Sequence, residues 1–179
     1  MRKGRRLILS LTLALMLVMS FSTPVFAATD ADVTVTATPT YISISNTPTS
    51  EALGMLADNS TTWAIGTAPA DPLVDANCTF TVTNDGNVAE NITIKATNFT
   101  GGVGWTLASA VGVDTVVMKA GKSGDYHAAM VVVATTGGAN FISALAASGT
   151  KKWEFNLSTG TFTDGAAKSS TITLTATQA

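Results

Sequence analysis

Apolar residues alternate one for one with threonine or serine along much of this chain, and that alternation leaves few architectures open. Val33, Val35 and Ala37 alternate with Thr34, Thr36 and Thr38, and Ile42 and Ile44 with Ser43 and Ser45. Phe80 and Val82 stand between Thr79, Thr81 and Thr83, and Ile92, Ile94 and Ala96 alternate with Thr93, Lys95 and Thr97. Trp153, Phe155 and Leu157 alternate with Lys152, Glu154 and Asn156, and Ile172, Leu174 and Ala176 with Thr171, Thr173 and Thr175. Successive side chains of a strand point to opposite faces, so each run reads as a strand with one buried and one wet face. Threonine suits the wet face because its branched β-carbon fits a pleated strand while its hydroxyl meets water.

Further strands are expected at Gly104–Ala108, Asp114–Ala120 and Tyr126–Ala134, with a short edge strand at Trp63–Gly66. The unbroken apolar run of Ala128–Ala134 reads as a central strand covered on both faces. Phe141, Ile142, Leu145 and Ala146 follow helical spacing, so residues 140–147 are expected to form the one short helix, stopped by Gly149. Asn84-Asp85-Gly86-Asn87 reads as a hairpin turn in which Gly86 supplies a positive φ, and Asp164-Gly165 as a turn before the last strand. Residues 46–77 carry Pro48, Pro69 and Pro72 and few strand signals, and are expected to be a long loop or flap. The fold class implied is all-β: a single antiparallel β-sandwich, Ig-like or jelly-roll, of 8–10 strands with at most one short helix.

The start of the chain reads as an address. Arg2, Lys3, Arg5 and Arg6 precede an apolar run from Leu7 to Phe21, Pro24 ends it, and Val25-Phe26-Ala27 has the small-residue pattern of a cleavage site. Residues 1–27 are therefore expected to be a secretory signal peptide, since the run is shorter than the roughly 20 residues of a spanning helix. The competing reading is a retained N-terminal anchor. Residues 28–179 would then be the mature chain, a single β-sandwich domain that is secreted, cell-surface associated and outside the membrane. This part keeps six lysines, no arginine and all twelve acidic residues, a formal charge of −6. A nucleic-acid partner is excluded on that balance, since arginine forks and basic patches do that recognition.

Candidate chemistry is sparse. Cys78 shares the parity of Phe80 and Val82 and is expected in the core as a small hydrophobe, with no second cysteine to pair with. His127 is the one histidine and is expected to be structural within its strand. The chain contains neither G-x-S-x-G nor H-E-x-x-H, so no catalytic residue is assigned and the chain is read as non-enzymatic. No cofactor is assigned; Asp30 with Asp32, and Asp71 with Asp75, offer carboxylates to a calcium ion, without the twelve-residue loop pattern. Trp63, Trp105 and Trp153 are expected in the core, the alternative being an aromatic platform for a cell-surface glycan. N-x-S/T sequons stand at Asn59, Asn77, Asn91, Asn98 and Asn156, of which Asn91 and Asn156 have wet-face parity; all five are candidate glycosylation sites in a host that glycosylates secreted proteins.

The block from Phe80 to Lys95, FTVTNDGNVAENITIK, resembles the F-x-V-x-N-x-G hairpin of many secreted Ig-like and jelly-roll modules. Together with the leader and the strand-rich start, it is similar to extracellular fibre subunits of the TasA/camelysin type. Camelysin-like members have been called metalloproteases, an activity that does not carry over to a chain with one histidine. The resemblance implies self-association. A terminal strand with Val33, Val35, Ala37, Ile42 and Ile44 directed inward is expected to add to an open sheet edge of the next subunit and build a filament. The bland reading is that this strand pairs within its own sandwich. The function expected is a structural surface protein, with an extracellular glycan- or cell-wall-binding module as the alternative.

Overall fold

The computed structural model describes residues 36–179. The leader, Asp30, Asp32, Val33 and Val35 lie outside the described residues. Pro39–Ala179 forms one compact unit of two packed sheets, and the all-β sandwich expected from the alternation is the fold observed.

The larger sheet holds seven strands: β1 (Ile44–Thr47), β2 (Thr61–Trp63), β3 (Phe80–Asn84), β5 (Thr106–Leu107), β6 (Thr115–Lys122), β7 (Val131–Val132) and β9 (Thr150–Thr159). Its path is β1-β3-β9-β6-β5, with β2 on β9 and β7 on β6, and it is antiparallel except for the short β5–β6 pair. The smaller sheet is β10 (Ile172–Gln178), β4 (Glu90–Ala96) and β8 (Ala139–Leu145), in that order. Between the sheets lies the main core. Phe80 and Trp153 stack at 4.6 Å between ring centroids, and Phe141 from the smaller sheet meets Trp153 edge-on at 5.5 Å. Such pairs add to the area they bury because ring faces and edges carry opposite partial charge.

Four local expectations are corrected. Residues 140–147 do not form a helix; residues 140–145 belong to strand β8, and the chain turns just after Leu145. Phe141, Ile142 and Leu145 are buried as a helical face would be, but a bulge makes the spacing. The register against β4 slips twice between Glu90 and Thr93, Ala144 sits at φ 50°, and its N–H donates to Asn91 Oδ1 at 2.9 Å. An extra residue in one strand shifts the parity beyond it, which imitates the helical period.

The Asn84–Asn87 segment is not a hairpin turn. β3 pairs with β1 and β9 in one sheet and β4 with β10 and β8 in the other, so the turn crosses between sheets. Gly86 is required by crowding rather than by a positive φ: a β-carbon there would stand 2.5 Å from both the Tyr41 carbonyl oxygen and Glu90 Oε1. Asn84, fully buried, holds the turn. Its Nδ2 donates to the carbonyls of Val88 and Leu145, and its Oδ1 accepts from the Gly86 N–H, each at 2.8 Å.

Tyr126–Ala134 is not a central strand. His127–Ala129 is a 3-10 turn, and only Val131–Val132 pair, on β6. The run is apolar because it serves two cores in turn: Met130 enters a second cluster and Val133 the main one.

That second cluster explains the fourth correction. Trp63, Leu73, Cys78 and Met130 cover the outer face of the larger sheet. Gly121 lies beneath them, where a β-carbon would meet Met130 Cγ at 2.7 Å and Leu73 Cδ1 at 2.9 Å. Asn156, expected on a wet face, is therefore only 7% exposed, and Glu154 is fully buried. Glu154 takes backbone donors in place of water: Oε2 accepts from the Thr79 N–H at 2.8 Å and Oε1 from the Phe155 N–H at 3.0 Å.

Candidate functional site: an open seam between the sheets

Strand directions give the sandwich two poles. β1 begins, β3 ends, β4 begins, β8 ends, β9 begins and β10 ends at one of them, here the proximal pole. β4 ends, β6 and β10 begin and β9 ends at the distal pole. The chain enters the unit at the proximal pole, at Pro39. There it is clamped to the crossover turn. Asn87 Nδ2 donates to the Pro39 carbonyl at 2.8 Å, Tyr41 N–H to Asn87 Oδ1 at 2.7 Å, and Asn87 N–H to the Tyr41 carbonyl at 3.0 Å. Ser43 N–H donates to Glu90 Oε1 at 2.9 Å.

Along one side, among the described residues, the two sheets do not close on each other. Among the described residues β1 pairs with β3 alone and β10 with β4 alone, so each turns its other edge to the same side. A groove of about 280 Å³ runs between them, lined by Ile44, Asn46, Trp153, Ile172 and Leu174. Toward the distal pole it borders a cavity of about 920 Å³ walled by Phe80, Phe99, Trp105, Trp153 and Phe162 and flanked by residues 48–56. Ile172, Leu174 and Ala176 are only half-buried although they are the inward set of β10. An unpaired strand edge beside half-buried apolar side chains can accept a further strand: backbone bonds supply affinity and alternate pockets supply register.

Polar groups stiffen the walls. Asn46 Oδ1 accepts from Trp153 Nε1 at 2.8 Å, and Asn46 Nδ2 donates to the Pro48 carbonyl at 2.9 Å. Trp105 stacks on Phe162 at 4.2 Å, nearly parallel, and Lys168 Nζ lies 5.5 Å from the Trp105 ring centre. The Lys168 side chain is 3% exposed and is paired with Asp164. The lysine, and then the Val103 N–H, hold the Asp164 carboxyl below its ordinary range.

The expected site residues separate in this frame. Of the assembly set, Ala37 and Ile42 are exposed, whereas Ile44 lies within β1, leans on the core and is already paired opposite Asn84. Asn59 and Asn98 are exposed, although Asn98 Oδ1 accepts from the Leu107 N–H at 2.9 Å. Asn77 and Asn91 are half-buried, and Asn156 is buried. Trp63, Trp105 and Trp153 are all buried, so they form no exposed platform. Cys78 is buried as expected, but in the outer cluster rather than the main core. Burial first, then Glu154 and Asp75, push its thiol up to about 11, which keeps it protonated at neutral pH. The His127 ring packs on Trp63 at 4.7 Å between ring centres, and the His127 backbone N–H donates to Asp71 Oδ1 at 2.9 Å. Among the described residues no three His, Cys, Asp or Glu side chains cluster as metal ligands, and no helix is long and apolar enough to cross a membrane. Sequence reasoning missed the seam itself. The one local sign of it was that β10 alternates as cleanly as β4, without indicating which strand would cover its other edge.

Compared with known proteins, the chain matches no family model, no curated protein and no solved structure.

Proposed function

We propose that this chain is a non-enzymatic, secreted, cell-surface structural protein whose copies assemble into a filament by strand addition. In this reading the segment Val33–Ala37 of one copy enters the seam between β1 and β10 of the next. The observation that carries it is the seven-residue edge of β10, unpaired among the described residues, with Ile172, Leu174 and Ala176 half-buried along it. Three alternating apolar residues, Val33, Val35 and Ala37, match those three in number and period. The low charge and hydroxyl-rich strands fit a subunit that packs against its own kind. The glycan-binding reading loses its main support, since the tryptophans it would use are buried.

Direction separates donation from self-closure. β10 runs from the distal to the proximal pole, and the chain enters its own unit at the proximal pole. A segment from a neighbour stacked head to tail would lie antiparallel to β10, with Ala37 near Ile172. The same segment folded back on its own seam would lie parallel to β10, with Ala37 near the proximal end.

The test is electron microscopy of the chain expressed from its full reading frame and recovered after export. Filaments from the wild type, lost in the Val33→Asp, Val35→Asp variant, support strand addition. A wild type that stays monomeric across salt and calcium conditions overturns it.

A further inference from the structure

We infer that the cavity beyond the seam is a binding site for a small, flat, uncharged aromatic molecule that carries a hydrogen-bond acceptor; the site stands whether or not the chain polymerises. Its volume of about 920 Å³ lies within the roughly 300–1,000 Å³ of small-molecule sites. Six aromatic rings wall it: Phe80, Phe99, Trp105, Trp153, Phe155 and Phe162. Two stacked pairs hold the rings in place, Phe80 on Trp153 at 4.6 Å and Trp105 on Phe162 at 4.2 Å with 7° between the ring planes. Rings fixed in this way favour a flat apolar guest, because stacked and edge-on contacts add to the area buried. Among the described residues the charged groups around the cavity are Lys168, Asp164 and Glu51, and the lysine is already paired with Asp164. A charged guest would lie unpaired against apolar walls, which is costly, so the guest is uncharged.

The acceptor follows from the two wall tryptophans. Trp153 Nε1 is satisfied by Asn46 Oδ1. Trp105 Nε1 is buried and meets no acceptor among the described residues, although Phe162 stacks on the ring. A buried donor left unpaired is costly, and a carbonyl oxygen on the guest relieves it. Residues 48–56 supply the cover. Leu53 and Leu56 lean on the main core from this segment. It is fastened at its two ends, where the Pro48 carbonyl accepts from Asn46 Nδ2 and the Ala57 carbonyl accepts from Ser60 Oγ and Thr159 Oγ1. Among the described residues no hydrogen bond holds residues 49–56 between those points, so the cover opens without breaking a ladder. An added strand does not fill this space. With Ala37 opposite Ile172 the new ladder stops there, since Pro39 has no N–H and its carbonyl is held by Asn87, whereas the cavity continues along residues 164–171.

The experiment titrates prodan, an uncharged naphthalene with one ketone oxygen, onto the chain recovered after export, and reads energy transfer from tryptophan to the probe. The expected result is saturable binding of one probe per chain. Trp105→Phe keeps a ring and removes the N–H, and is expected to weaken binding about three- to tenfold, the value of one hydrogen bond. The ketone-free analogue of the probe is expected to bind the wild type more weakly by the same factor, a comparison that needs no variant to fold. Leu53→Asp with Leu56→Asp removes the apolar cover and is expected to weaken binding about tenfold or more. Val33→Asp with Val35→Asp is expected to leave it unchanged. No saturable binding to the wild type overturns the inference. Equal binding of the two probes, or binding that ignores the leucine substitutions, also overturns it. Binding that tightens in the Val33→Asp, Val35→Asp chain overturns it as well, because the N-terminal segment would then be the occupant.

Discussion

Strands β9 and β10 have the same written pattern and opposite fates. Lys152-Trp153-Glu154-Phe155-Asn156-Leu157 and Thr171-Ile172-Thr173-Leu174-Thr175-Ala176 both alternate polar with apolar. β10 keeps its threonines in water and even its apolar residues half-buried. β9 is buried on both faces from Trp153 to Leu157, with Glu154 and Asn156 under a second layer. The difference teaches that a polar residue in an alternating strand does not by itself mark a wet face. Glu154 can be covered because the backbone N–H groups of Thr79 and Phe155 supply its hydrogen bonds.

The comparison can be broken in order of expected effect. Trp153→Ala removes the ring on which Phe80 and Phe141 pack, and is expected to cost about 3–5 kcal/mol, read as a lower midpoint in urea unfolding. Glu154→Ala strands the Thr79 N–H under the outer layer, and about 1–3 kcal/mol is expected from an unsatisfied buried donor. The matching change on the other strand, Thr175→Ala, is expected within about 0.5 kcal/mol because that side chain is exposed. Equal costs at the two positions would show that the outer layer does not shield Glu154.

Gly86→Ala sharpens the comparison between the clamp and the seam. The added β-carbon meets the Tyr41 carbonyl and Glu90 Oε1, and overpacking of this kind costs about 1–3 kcal/mol. Hydrogen exchange should speed up at Tyr41 and Ser43 while the N–H groups of β4 stay protected; uniform loss of protection would contradict a local clamp.

A direction test uses engineered thiols. Thr36→Cys with Thr173→Cys is expected to give disulfide-linked ladders between copies, and Thr36→Cys with Thr177→Cys to give none. The reverse pattern, confined within one copy, would assign the seam to self-closure.

The smallest effect is acid loosening of the distal pole. The folded Asp164 carboxyl lies below its ordinary value of 3.8, so its contribution is full above that value and lost as pH falls through the lower folded value. Protection of the Val103 N–H should hold from neutral pH to about pH 4 and fall below it. In Asp164→Asn that pH dependence should disappear.

Much of this fold was legible before any coordinates. The inward parity of Phe80, Val82, Ile92, Ile94, Trp153 and Leu157 is the parity observed, because side-chain alternation is a local property of extended backbone. Three of the local misreadings share a physical cause. The bulge in β8 changes parity through pairing with a strand some fifty residues away. The turn at Asn84–Asn87 has the composition of a hairpin but joins two sheets. The apolar run near Val131 divides between two cores. Each is decided by which distant segment lies alongside, and spacing within the segment carries no record of that.

The candidate site shows the same division. The alternating residues of the N-terminal segment, the low charge and the want of a catalytic set were read from the residues themselves. By itself the sequence determined the strand character of the chain and the inward and outward sides of most strands, since those follow from backbone geometry and side-chain branching. Only the tertiary structure decided that β10 and β1 turn their outer edges to one side and that Asn87 and Glu90 hold the chain where it enters. Strand order and pole position depend on contacts between residues far apart in the chain, and those contacts exist only once the two sheets have packed.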